Sequence, residues 1–258
     1  MNNKRDLKLS GIDSVGGGDY NLVKIDGSAK ILGDLSCEDL EINGLGKLNG
    51  TVKSGDIVVN GHSTFMQNVE CNIINVSGHS KFNEKLSSKK CIISGITKIF
   101  NDLKSDNLDI SGVLTVNGGI NGEDIQVSGT ISSDKDLECE NFSCRGSFSI
   151  KGLLNSENID VISWLGSKAK DIGGNTIRIV RGDLNLLTSI VGSLLLKSKE
   201  ITVGTIEGSD IFLEYCMVDT IRGDKVVVGK GCKIKNIEYT GSLEVLDGAI
   251  VENSIKIS

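Results

Sequence analysis

Seven cysteines and two histidines are the side chains here best suited to ligating a metal, forming a disulfide or acting as nucleophiles. Their spacing decides which of these they can do. There is no C-x-x-C pair. Cys37, Cys71 and Cys139 are separated by multiples of seventeen residues, and His62 and His79 by seventeen. Two imidazoles one repeat apart would stack about 5 Å from each other and could share a metal. The neighbouring Thr64 and Lys81 supply no third ligand, however. Paired carboxylates occur at Glu38–Asp39 and Glu123–Asp124, in segments that read as turns without a cleft. Neither a phosphate-cradling G-x-x-x-x-G-K-[ST] nor a G-x-S-x-G nucleophile elbow is present. The chain is therefore expected to have no catalytic, cofactor-binding or metal site. Its cysteines are expected to pack as small hydrophobes in a reducing compartment.

The interval of seventeen belongs to the whole first half. Glycine recurs at Gly27, Gly44, Gly61, Gly78, Gly95, Gly112, Gly129 and Gly146 without an insertion. With this glycine as column seventeen, four columns are apolar. Column four runs from Ile31 to Ile150, column eight from Leu35 to Leu154, column thirteen from Leu40 to Ile159, and column fifteen from Ile42 to Val161. Columns thirteen and fifteen are two apart, which is strand alternation. Each copy is read as about three very short strands, with corners at columns sixteen and seventeen, near column six, and at columns eleven and twelve. The "NG" and "SG" corners are expected to need the positive φ that Gly and Asn accept.

So small a unit cannot bury its own apolar side. It can do so if each copy coils on the last, at roughly 4.8 Å per turn. The fold class is therefore all-β: a right-handed parallel β-helix with 17-residue coils, followed by a less regular C-terminal β-helical region. Right-handedness follows from the crossover rule, and from a period that is not a multiple of six. The cysteines fall into this scheme, with Cys37, Cys71 and Cys139 in column ten, Cys91 in column thirteen and Cys144 in column fifteen. Lys30 and Lys47, like Lys81 and Lys98, are vertical neighbours. Column eleven carries Glu38, Asp106, Glu123, Glu140 and Glu157. These stripes read as solvated surface that could guide side-by-side association.

The expected organisation has four parts. Residues 1–20 are an N-terminal cap or flexible segment, with Gly16, Gly17 and Gly18 free to move, and residues 21–163 are the regular β-helix. Residues 164–200 are a connector carrying the apolar patch "LNLLTSIVGSLLLK" at 184–197. That patch could bridge one end of the coil, contact a partner or lie in a membrane interface, and packing on its own protein is favoured. Residues 201–258 are C-terminal coils with a period of 15 to 16, judged from Ile206, Ile221 and Ile237 and from Val218, Ile234 and Ile250. They either continue the first stack or form a second one beside it. Cys216 and Cys232 lie there without a partner pattern.

Composition agrees with a thin aliphatic core: 38% hydrophobic, 4% aromatic, 32 glycines and no proline. The net charge of −6 argues against a nucleic-acid partner. The start of the chain lacks the apolar run of a secretory signal, so a cytoplasmic location is expected.

The run of "x-I-x-G" coils resembles the bactofilins, bacterial polymer-forming cytoskeletal proteins. The opening "LKLSGIDSVGGGDYNLVKIDGSAKILGDLSCEDLEINGLGKLNG" and the later "TIEGSDIFLEYCMVDTIRGDKVVVGKGCKIKNIEY" look like a long form found in Gram-positive bacteria. The resemblance implies a non-enzymatic scaffold that self-associates end to end without nucleotide and organises cell envelope, shape or motility components. It also implies a position at the inner face of the membrane and envelope or motility proteins as partners. The chain departs from short members in having no proline, little tail and a second coiled region that could cap one end. The alternatives are a monomeric partner-binding adaptor and a carbohydrate-active β-helix enzyme. An enzyme would normally show wider coils and long loops.

Overall fold

The computed structural model describes residues 4–163, 166–182 and 200–257. The chain forms a parallel β-solenoid with roughly seventeen-residue spacing and a less regular C-terminal part. It divides into two compact units, Met1–Glu123 and Asp124–Ser258, with the division inside strand β15 (Ile120–Val127).

In the first unit, short and long strands alternate. The short ones are β2 (Ile12–Val15), β4 (Ser28–Ile31), β6 (Leu45–Leu48), β8 (His62–Phe65), β10 (His79–Phe82), β12 (Ile96–Ile99) and β14 (Val113–Val116). The long ones are β3 (Gly18–Ile25), β5 (Leu35–Ile42), β7 (Val52–Val59), β9 (Val69–Val76), β11 (Leu86–Ile93) and β13 (Leu103–Ile110), and the three-residue β1 (Leu7–Leu9) stands at the head of their row. Short strands pair only with short and long only with long, always parallel. From β3 and β4 onward the offset is seventeen, as in Val59↔Val76 and His62↔His79. All four predicted apolar columns are buried, none of their members more than 3% exposed.

The expected three strands per copy are two. The third corner is a bend within each long strand, where columns eleven and twelve both face outward and the pairing skips a residue, as at Glu38 between Cys37↔Ser54 and Asp39↔Asp56. Two consecutive outward residues break the period of two without ending the strand.

A further inward column escaped the sequence reading because its members are chemically mixed. Column two holds Ala29, Gly46, Ser63, Ser80, Thr97 and Leu114 in the first unit, and Ile131 and Phe148 in the second, all buried. In several coils it is matched in size to column four. Ser63 and Ser80 lie beside Phe65 and Phe82, whose rings stack at 4.6 Å. In the second unit Ile131 lies beside Ser133. Large against small fills these coils evenly, as close packing demands, whereas Leu114 and Phe148 stand beside Val116 and Ile150.

Contrary to the sequence expectation, the repeat glycines do not supply positive φ. Among the described residues, positive φ occurs at Gly18, Gly166, Gly231, Gly248 and Tyr215. The true constraint is stacking. A Cβ at Gly44, Gly61, Gly78, Gly95 or Gly112 would lie 1.9–2.1 Å from the carbonyl oxygen of the glycine one coil before.

A period of 34, two coils long, is also built in. Asp34 Oδ1, Asn68 Oδ1 and Asp102 Oδ1 each accept the backbone N–H of the residue seventeen further on, Thr51, Lys85 and Gly119. The hydrogen bond from Thr51 holds the Asp34 carboxyl below its ordinary value.

Residues 4–20, within the segment expected to be an N-terminal cap or flexible, carry two strands of the solenoid. β1 and β2 form the first rung, sixteen residues before β3 and β4. Gly17 is wedged against the backbone of Asp34, and the Gly18 N–H donates to the Asp34 carbonyl at 2.8 Å. Arg5 lies 5.4 Å from the ring of buried Tyr20.

The second unit contains β16 (Thr130–Ser133), β17 (Leu137–Cys144), β18 (Ser147–Ser163), β19 (Lys168–Gly173), β20 (Thr176–Arg181), β21 (Ile201–Leu213), β22 (Cys216–Val228), β23 (Lys233–Val245) and β24 (Ile250–Lys256). Within it the coiling continues past the expected boundary at 163. β19 and β20 lie parallel on β18, at Leu154↔Ile172 and Ile159↔Ile177. β21 then lies on β19 and β20 with an offset of 34, as at Ile172↔Ile206. The C-terminal coils therefore continue the stack of their own unit. The apolar patch at 184–197 and Trp164 lie outside the described residues. Later coils narrow to an offset of fifteen at Ile206↔Ile221 and sixteen at Ile221↔Ile237. The last returns to seventeen, so Ile234 meets Val251, and Ile250 is instead 58% exposed.

Candidate functional surfaces

The solenoid places every residue singled out for chemistry by its column. Cys37, Cys71, Cys91 and Cys144 are buried and Cys139 is half-buried. Burial raises their thiols: to about 12 for Cys71, to about 11 for Cys139 and Cys144, and well up for Cys91. Such thiols are poor nucleophiles. Cys37 Sγ lies 3.4 Å from Ser54 Oγ in the next coil.

Cys216 and Cys232 do have a partner pattern, contrary to the sequence reading. The register Met217↔Lys233 makes them equivalent positions of successive coils, both fully buried. Cys216 is held well above the ordinary thiol range by its contact with Cys232 and then by burial. The pair follows a corner at which Tyr215 and Gly231 both have positive φ, 54° and 72°. The sixteen-residue offset between Val218 and Ile234 was the signal that could have shown the equivalence. Arg181 covers the Tyr215 ring at 3.7 Å.

His62 and His79 stack at 4.8 Å with rings 3° from parallel, on the outer surface. Among the described residues no group of three His, Cys, Asp or Glu side chains is placed to hold a metal. Column eleven and the doublets Glu38–Asp39 and Glu123–Asp124 fall at the bend of the long strands.

The second unit has an open groove of about 990 Å³. Carboxylates line it, and most are engaged. Asp171 Oδ1 accepts the Thr205 N–H at 3.1 Å, Asp224 Oδ1 accepts from Thr240 Oγ1 at 2.6 Å, and Arg222 Nε donates to Glu238 Oε2 at 2.9 Å. These are ties between coils.

The remaining surfaces are the exposed strand edges. β24 covers only Lys233–Tyr239 of β23, which leaves Ser242–Val245 without a strand beyond it. Val245 is 46% exposed, and Leu246, Ile250, Ile255 and Ile257 are also open. In the first unit β1 and β2 each pair on one side, and Ile12 is almost fully exposed.

No family model and no solved structure matches the chain. Two Bacillus subtilis (strain 168) proteins are similar to it, both described as uncharacterized. YhbE is 33% identical over 109 residues, 41% of this chain and 44% of YhbE. YhbF is 34% identical over 89 residues, 34% of each. The match thus spans less than half of either relative. No helix among the described residues is long and apolar enough to cross a membrane.

Proposed function

We propose that the protein is a non-enzymatic scaffold that joins copies of itself through the edges of its coils, without nucleotide. The observation that carries this reading is the open side of β23 and β24. Unpaired strand N–H and C=O groups lie beside the exposed apolar side chains Val245, Leu246 and Ile255. Such an edge recruits another strand unless something covers it. An end contact of about 800 Å², half apolar, gives roughly 10 kcal/mol of gross hydrophobic gain at about 25 cal/mol/Å². The association entropy is of comparable size, so joining is tunable. The resemblance to polymer-forming bactofilins supports the same reading.

Negative-stain microscopy and sedimentation velocity of the full chain, without nucleotide and at two salt concentrations, test it. Oligomers or filaments are expected, and Val245→Asp with Ile255→Asp should abolish them while leaving the circular dichroism melt unchanged. A monomer in every condition overturns the proposal and leaves a partner-binding adaptor.

A further inference from the structure

The short strands of the first unit present a face unlike the rest of the molecule. β2, β4, β6, β8, β10, β12 and β14 lie in parallel register. At about 4.8 Å per strand they make a plane about 29 Å long. Columns one, three and five point outward from it. Column one reads Ile12, Ser28, Leu45, His62, His79, Ile96, Val113. Column three reads Ser14, Lys30, Lys47, Thr64, Lys81, Lys98, Thr115, and column five runs from Gly16 through Leu32, Met66 and Phe100 to Asn117.

Two features of this face stand out. First, none of these outward positions is a carboxylate, in a chain whose net charge is −6. The nearby Asp13 belongs to inward column two and lines one end of a shallow groove of about 530 Å³ on this face. Second, six of the seven large apolar side chains exposed in this unit lie here: Ile12, Leu32, Leu45, Ile96, Phe100 and Val113. Lys30, Lys47, Lys81 and Lys98 are exposed and enter no ion pair among the described residues. The ammonium groups of Lys81 and Lys98 instead flank the Phe100 ring, at 4.8 and 4.6 Å.

We propose that this face lies on a bilayer containing anionic lipids, with the lysines at the headgroup phosphates and Leu45, Ile96 and Phe100 at the acyl boundary. This face is flat, repeats one chemistry along its length and carries a single sign of charge interleaved with apolar side chains. Such a surface matches a plane of negative headgroups over hydrocarbon. The proposal goes beyond edge joining and does not depend on it, because these strands point across the coil and not along it.

The test is co-sedimentation of the full chain with vesicles of phosphatidylcholine containing about 30% phosphatidylglycerol, and with phosphatidylcholine alone. Binding is expected only to the anionic vesicles, and it should weaken in 0.5 M salt. Each lysine near the surface is worth about fivefold in affinity. The quadruple variant Lys30→Gln, Lys47→Gln, Lys81→Gln, Lys98→Gln should therefore lose several-hundredfold. Lys53→Gln, Lys89→Gln, Lys90→Gln, Lys104→Gln, on the long strands, should bind as wild type. Ile96→Ser with Phe100→Ser, at exposed positions, should also weaken binding without changing the melt. Absence of binding, or equal loss in both lysine quadruples, overturns the proposal. A quadruple variant that changes sedimentation mass while no form binds vesicles also overturns it, making the face a contact between copies. Failure of edge joining would show separately, as monomers by microscopy.

Discussion

Replacing Gly78 by alanine isolates the requirement that sets the seventeen-residue period. A Cβ at this position would lie 2.0 Å from the Gly61 carbonyl oxygen and 2.4 Å from that of Asn60. Ordinary contact needs more than 3 Å, so the two coils must separate by about 1 Å at this corner. Three backbone hydrogen bonds cross the same gap: Ser77 N–H to Val59 O at 2.9 Å, Gly78 N–H to Val59 O at 3.0 Å, and His79 N–H to Gly61 O at 2.9 Å. Weakening all three costs about 1 kcal/mol each, and residual overpacking adds about 1–2 kcal/mol. The expected destabilisation is about 4–5 kcal/mol. Gly11 provides the control, because it stands one sixteen-residue rung before Gly27, and among the described residues no earlier coil lies against it. A Cβ there would meet only Asp13 Oδ2, at 3.8 Å. Gly11→Ala should stay within about 0.5 kcal/mol of wild type, or stabilise slightly by restricting the unfolded chain. Urea titrations followed by far-ultraviolet circular dichroism measure both variants, and hydrogen exchange at residues 77–79 localises the effect. Equal stabilities for the two variants, or a Gly78→Ala protein as stable as wild type, would refute the argument that close approach of the coils is what excludes a side chain.

Three further outcomes follow from the same geometry. Thr97 is 1% exposed and its hydroxyl has no hydrogen-bond partner, so Thr97→Val should raise stability by about 1 kcal/mol, read as a higher urea midpoint. Partial burial opposes ionisation of Asp160, but hydrogen bonds from Arg145 and Arg178 outweigh it and hold the carboxyl below its ordinary value. The stabilisation is therefore present above about pH 4 and is lost as pH falls through the folded-state value. Asp160→Asn should cost under about 1 kcal/mol at pH 7, given the solvent screening of this half-exposed group, and the difference between the two proteins should vanish in acid. Finally, a thiol reagent at pH 8 should label half-buried Cys139 first. The other six thiols should react only on unfolding, and peptide mass mapping reads the order.

The sequence by itself determined the coil. A glycine every seventeen residues and four aliphatic columns are local, periodic facts, and they require parallel stacking because no single copy can bury its own apolar side. They placed Val59 on Val76 and His62 on His79. What lay beyond them was set by neighbours one or two coils away. Column two was invisible because Gly46, Ser80 and Phe148 share no chemistry, and only their inward position in the coil relates them. The reason for the glycines was equally hidden, since it lies in a carbonyl oxygen seventeen residues earlier and not in the backbone angles of the glycine itself. The coil formed by residues 168–181 and the offset of 34 at β21 follow no fixed period, so only the strand pairing shows them. The carboxylate-free face is written in the sequence too, but as every second residue of alternate strands. Tertiary structure gathers it into one plane, because stacking turns a column of letters into a continuous surface.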